Sequence, residues 1–412
     1  MTVRASWGMF YDLPSTLFYY GYSNEPPWGQ AISINNPQGG FSNPWQGYPG
    51  GNPFPYTFSK NSVFPTLAPY VTVPLNYHPP YLNQWNLTVE KQFGPNWLAK
   101  ASYLGSNTIH FWSPQALNPS VYMPGASCII NGQTFTPCSS TANPTQRRLL
   151  TLLNPQQGPY YNSIVNLDDG GTTSYNGLFL SLQHRLSNHF TVLANYTWSH
   201  CISDLGTTLL AGSYTDPNDR RFDRGNCPGT DIRHNFNLSA VLQAPKFSQR
   251  LIQSVAGNWQ LAVIGAARSG TNFSATTGID NDLNGVGGDR SNQVLPNVYC
   301  AQKSINCWLS PAAFAPNTVA NGIRSNMGAN TLRGPGYFDI DLALTKSIPI
   351  SERQRIDLRA EAFNIQNRAN FMGTSPNNPS AVSIGSQSGT GFGKLLYDVS
   401  PRIMQFAIKY VF

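Results

Sequence analysis

Charge is scarce in this chain. Asp, Glu, Lys and Arg together make up 11% of its 412 residues, against roughly a quarter in an ordinary soluble domain. Long apolar runs are missing as well. Leu261 to Ala267 is the longest of note, far short of the roughly 20 residues a membrane-spanning helix needs. A bilayer could be crossed here only by strands. The first residues, MTVRASWGMFYD, lack the basic-then-apolar pattern of an export signal. No HExxH or GxSxG occurs, and the six histidines are widely separated. Gly285-Val286-Gly287-Gly288 and Gly389-Thr390-Gly391-Phe392-Gly393-Lys394 are incomplete phosphate loops with no strand-to-helix setting. No catalytic site is expected, and the chain reads as a non-enzyme. The net charge of +7 is scattered, with no basic run longer than Arg147-Arg148 or Arg220-Arg221, which excludes a nucleic-acid footprint.

Aromatics reach 12%, with 36 glycines and 32 prolines. That composition favours strands joined by long turn-rich connections. The final stretch, PRIMQFAIKYVF, shows the pattern most clearly. Met404, Phe406, Ile408, Tyr410 and Phe412 share one face of a strand, opposite Gln405 and Lys409. A soluble sheet seldom ends on such an edge without polar residues to blunt it. Comparable segments are Thr2 to Tyr11, Tyr81 to Phe93, Trp97 to Tyr103, Tyr175 to Leu186 and Phe190 to Ser199. Weaker ones are Ile232 to Ala244 and Asn258 to Arg268, and Tyr337 to Lys346 and Arg355 to Gln366 are strong. About ten alternating strands of this length suit an antiparallel transmembrane β-barrel.

The connections alternate in length. Those near 94–96, 187–189, 245–257 and 347–354 are short; 12–80, 104–174, 200–231, 269–336 and 367–400 are long. Outer-membrane barrels have short periplasmic turns and longer extracellular loops. Both ends of the chain then fall on the periplasmic side. Aromatics near segment ends (Tyr81, Trp97, Tyr103, Tyr196, Trp198, Trp259, Tyr337, Tyr410) suit two interfacial girdles.

One parity faces lipid and the other a polar lumen. The lumen candidates are Gln84, Asn86, Glu90, Lys100, Gln183, Arg185, Asn195, Asp339, Asp341, Arg359 and Glu361. In the hairpin from Tyr337 to Gln366, one register sets Asp341 against Glu361. The other sets Asp341 against Arg359, and charge favours it. The cysteines form three sequence-local pairs, Cys128/Cys138, Cys201/Cys227 and Cys300/Cys307, all in long connections. No pair has CxxC spacing and His200 stands alone beside them, so disulfides are expected ahead of zinc. Asp280-Asn281-Asp282-Leu283-Asn284-Gly285 is similar to the start of a calcium loop, with Asp280, Asp282 and Asn284 as candidate ligands. Its twelfth position is Ser291 where a glutamate is needed. No other cofactor is expected.

Short stretches in order carry a family resemblance. They are Gln84-Trp85-Asn86-Leu87, Ser174-Tyr175-Asn176, Asn195-Tyr196-Thr197-Trp198-Ser199, Asp223-Arg224-Gly225 and Asp231-Ile232-Arg233-His234. Arg333-Gly334-Pro335-Gly336 and Arg359-Ala360-Glu361-Ala362-Phe363-Asn364 complete the series. Over essentially its whole length the chain resembles the C-terminal barrel of TonB-dependent outer-membrane receptors of the Oar-like group. The resemblance implies residues 1–412 are part of a barrel of about 22 strands, with plug domain and signal peptide absent and Met1 a truncated or mis-assigned start. It implies uptake of an unknown ligand, contact with TonB only through the missing N-terminal part, and contact with outer-membrane lipid and lipopolysaccharide. Phe412 resembles the terminal aromatic read by the barrel-insertion machinery. A soluble extracellular β-sandwich or lectin-like module, and a passive small porin, are the alternative readings.

Overall fold

The computed structural model of the chain describes residues 1–13, 25–26, 29, 38–47, 51–52, 54–55, 57, 59–62, 64, 66–187, 189–204, 214–316, 320–372, 385–398 and 401–412. Ten long strands form its wall. They are β1 (Thr2–Tyr11), β2 (Tyr81–Phe93), β3 (Trp97–Ala116), β4 (Tyr161–Ser187) and β5 (Phe190–Ser203), followed by β6 (His234–Gln243), β7 (Trp259–Arg268), β8 (Tyr337–Pro349), β9 (Arg355–Phe363) and β10 (Ile403–Val411). Each pairs antiparallel with its neighbours in sequence, so the wall is one up-and-down meander from β1 to β10. Among the described residues β1 and β10 stand at opposite ends of the pairing order and do not pair with each other. The meander is a partial barrel. Among the described residues helix is limited to Leu149–Leu153, Arg250–Ala256 and a few 3-10 turns.

Register aligns the alternating stretches of neighbouring strands. Val89 pairs with Val3 and Ala101, Ala101 with Leu180, Leu180 with Tyr196, and Tyr196 with Phe236. The same row continues through Ala267 to Phe338. Further along, Leu344 pairs with Ala360 and Ala360 with Phe406. One face is therefore apolar across all ten strands, and that face is the exposed one. Leu87 is 48% exposed and Phe406 72%, whereas Thr88 and Ser102 on the polar face are 9% and 3% exposed. Their hydroxyls bond each other at 2.8 Å. A protein folded in water would invert that distribution; a wall with lipid outside produces it. Trp85 lies so close over Gly105 that any Cβ there would strike its indole ring. A flat aromatic surface is kept on the apolar side at that point.

The short connections cluster at one end. Trp97, His184 and Phe190 pack together beside two of them, and Trp259 lies under the Lys346 ammonium. By parity Lys346 belongs to the apolar face, yet it is buried. Its Nζ donates to the carbonyls of Val255 and Gly257 at the end of the 250–256 helix, at 3.2 and 2.5 Å. The cation thus escapes lipid by meeting the negative end of a helix dipole.

The β8–β9 hairpin departs from both registers considered from sequence. Ala343 faces Glu361 and Thr345 faces Arg359, so Asp341 opposes neither charged residue. The turn is centred later than expected: the Ile350 N–H bonds the Gln354 carbonyl, leaving Ser351, Glu352 and Arg353 as its tip. Turn geometry sets register in a hairpin. The charges are satisfied along the chain instead, Arg359 pairing with Glu361 two residues on and Asp341 accepting the Asn364 N–H at 2.8 Å. Parity is unaffected.

Candidate functional site

All eleven polar candidates lie on one face of the register-continuous sheet. Glu90 pairs with Lys100, Lys100 with Ser181 and Ser181 with Asn195, which carries Gln84, Asn86, Gln183 and Arg185 on the same side. Asn195 pairs with Asn237, Asn237 with Ala266, and Ala266 with Asp339. Asp341, Arg359 and Glu361 follow by parity, and Glu361 pairs with Gln405. Within this face Glu90 joins Arg4 at 2.5 Å and Lys100 at 3.8 Å, Asn86 donates to Ser6 Oγ at 2.6 Å, and Tyr337 donates to Asp339 at 3.1 Å. The arrangement is a hydrogen-bonding sheet face with both signs of charge.

Over the long-connection end sits a folded cap, which sequence reading took for loops. Its apolar core joins Ala275, Val298, Leu309, Phe314, Met327 and Leu332, with Trp308 and Phe392 packed against them. Strands β3 and β4 rise into it, and Ala68–Thr72 pairs parallel with the start of β4. The disulfides Cys128–Cys138, Cys201–Cys227 and Cys300–Cys307 have Cα separations of 5.0, 5.3 and 5.9 Å, inside the range a disulfide requires. Alkylation of the denatured, unreduced protein followed by mass spectrometry should modify no cysteine; modification of either member of two pairs would refute the pairing.

Three buried charged groups fasten the cap, and sequence reading missed the role of each. Asp231 is fully enclosed. Its Oδ1 accepts the Cys201 N–H at 2.8 Å, its Oδ2 accepts Asn272 Nδ2 at 2.9 Å, and Arg333 and Arg233 lie at 3.5 and 3.7 Å. Arg147 is fully buried and donates to the carbonyls of Val121, Leu283 and Ser140 and to Asn143 Oδ1. Burial lowers its pKa, partly offset by Asp280. Arg290 bonds Asp223 and the carbonyls of Phe222 and Met327. Asp231, Arg233, Arg333 and Asp223 all belong to the short stretches singled out in the sequence; Asp231 meets Arg233 locally, but Arg333 and, for Asp223, Arg290 come from far off in the chain.

Two clusters of ligating groups stand in the cap. His78 donates its backbone N–H to Asp169 at 2.6 Å, and its Nδ1 lies 2.9 Å from the same oxygen, with the His110 ring stacked on that of His78 at 4.6 Å. Burial raises the Asp169 pKa, but the His78 hydrogen bonds and the two imidazoles outweigh it and hold the carboxyl below its usual range. The second cluster is Asp280, Asp282 and Asp289. Burial first, then the neighbouring carboxylates, push Asp282 up; burial also raises Asp289, against the N–H groups of Asp282 and Asn281. The side-chain oxygen of Asn284 is taken by the Val286 N–H at 2.7 Å, and Ser291 bonds Gln387. Asp289 supplies the third carboxylate instead.

Comparison with known proteins gives the outer membrane beta barrel domain family, matching residues 1–405. No curated protein matches the chain. Similar solved structures include the ferric-catecholate import receptor Fiu of Escherichia coli, at 10% identity and TM-score 0.37, covering 81% of this chain and 28% of the receptor. The outer membrane transporter YddB of Escherichia coli is 8% identical with TM-score 0.42, covering 85% and 34%. FpvA of P. aeruginosa, solved with bound pyoverdine, is 9% identical with TM-score 0.38, covering 82% and 28%. The chain spans about a third of the length of these structures.

Proposed function

The chain belongs to the outer membrane beta barrel domain family, and from that premise we propose that it is the C-terminal barrel portion of a TonB-dependent receptor of the Oar-like group. In this reading it lines the path of a ligand taken up across the outer membrane. It has no enzymatic role and no energy coupling of its own, since contact with TonB belongs to a plug-bearing N-terminal part. The ordered series of short stretches supports the receptor type. The inside-out distribution of polarity supports the spanning wall, and it is the observation that carries the proposal: Leu87 and Phe406 exposed, Thr88 and Ser102 buried. The lumen is then the face bearing Glu90, Lys100, Asn195, Asp339 and Arg359, and the cap is extracellular, towards lipopolysaccharide. Phe412 is the residue offered to the barrel-insertion machinery.

Flux through the protein reconstituted in liposomes tests this reading. A receptor wall under a cap held by Asp231, Arg147 and Arg290 should give no size-graded swelling in isotonic sugars above protein-free vesicles. Rapid swelling that falls with sugar size, unaffected by an energised TonB system, would overturn the receptor reading in favour of a passive small porin.

A further inference from the structure

The connection between β7 and β8 holds carboxylate oxygens of Asp280, Asp282 and Asp289 within 4.8 Å of one another. Asp280 shapes the turn, accepting the Asn284 N–H at 3.1 Å and the Gly285 N–H at 2.8 Å. Gly285 takes a φ of +80° there, and a Cβ would meet Ser120 Oγ. One oxygen each of Asp282 and Asp289 is used up on orientation. Asp282 Oδ2 accepts Asn284 Nδ2, while Asp289 Oδ2 accepts the N–H groups of Asn281 and Asp282. The remaining oxygens, both Oδ1, are buried with no hydrogen-bond partner among the described residues, in side chains of residues only 8% and 4% exposed.

Among the described residues, nearby cations do not compensate them. Arg290, next in sequence, is committed to Asp223, and Arg147 spends its guanidinium on carbonyls and an amide oxygen. A buried, unpaired carboxylate is costly, and buried charges are found paired or on metals. The donors are all oxygen, which selects a hard cation over zinc or copper.

We propose that Asp280, Asp282 and Asp289 bind calcium, and that the ion fastens the extracellular cap. The loop that would hold it is a junction. The Asn284 carbonyl accepts the Ser120 N–H at 2.6 Å, Asn284 Nδ2 donates to the Thr215 carbonyl at 2.8 Å, and the Asn281 carbonyl accepts the Gly322 N–H at 2.8 Å. Three separate stretches of the cap therefore meet the loop through its backbone and Asn284. Calcium would relieve the carboxylate repulsion and stiffen all three at once. The site is independent of what the barrel carries.

The test is calorimetric titration of chelator-treated, detergent-solubilised protein with calcium alone, alongside limited proteolysis of the cap with and without EDTA. One saturable calcium per chain is expected, with slower cleavage in its presence. Asp282→Asn and Asp289→Asn should each weaken binding by about tenfold or more, while Asp219→Asn, outside the cluster, should not. Absence of saturable uptake by the unmutated protein would overturn the proposal, as would undiminished affinity in both variants. Equal binding and protection by magnesium would overturn the assignment to calcium. If a variant fails to fold, titration and proteolysis of the unmutated chain still decide.

Discussion

Asp231→Ala is expected to loosen the base of the cap by about 3 kcal/mol, the low end of the cost of breaking a buried ion pair from one side. The carboxylate has no solvent contact, while the guanidinium side chains of Arg233 and Arg333 are 30% and 31% exposed. Water can take over part of their solvation, which holds the cost to the low end. The alanine would also leave the Cys201 N–H and Asn272 Nδ2 without their acceptor, a further desolvation cost. Asp231→Asn keeps an acceptor oxygen and should cost less. Hydrogen exchange followed by mass spectrometry reads the effect: amides around 199–203, 269–273 and 332–334 should lose protection while the wall keeps it. Unchanged exchange in those segments would show that Asp231 does not hold the cap.

The same residue shows where sequence reading stops. Asp231-Ile232-Arg233-His234 and Arg333-Gly334-Pro335-Gly336 stand out in the chain, yet nothing local says that Asp231 and Arg333 meet, because 101 residues, with wall strands β6 and β7 and much of the cap among them, lie between the two. The wall was legible because each of its strands repeats one boundary condition, lipid on one side and polar groups on the other. A period of two follows directly, as in Tyr81–Phe93, whose ends agree with the sequence reading. Beyond the bilayer that condition lapses. Residues 104–116 of β3 and 161–174 of β4 are strand without clean alternation, so they read as loop.

The carboxylate cluster was half legible for a related reason. A calcium-loop template looks for its closing ligand at position twelve and finds Ser291, but Leu283 and Gly285 at positive φ curl the chain sooner, and Asp289 comes to lie beside Asp280 and Asp282. The disulfides were the easy part, since each pair closes a short local loop. Register in the β8–β9 hairpin was not, because a turn centred two residues later than charge favoured moves every opposed pair while leaving parity intact.

Leu180→Arg offers the largest contrast between environments. Leu180 lies on the apolar face of β4, between Ala101 and Tyr196, and is 40% exposed. On a soluble surface such a change falls within about 0.5 kcal/mol of neutral. Facing lipid near the midplane, arginine costs about 2–4 kcal/mol. The short connection after β4 marks the near interface, which places Leu180 well inside the apolar band. Asn195→Arg, on the opposite face between Ser181 and Asn237, introduces the same charge into polar surroundings and should cost about 1 kcal/mol or less. Reversible denaturant unfolding in phospholipid vesicles measures both. A gap of at least about 2 kcal/mol between them assigns the two faces. Equal costs would mean that Leu180 does not face hydrocarbon, and the exposed apolar wall would then need another partner than lipid.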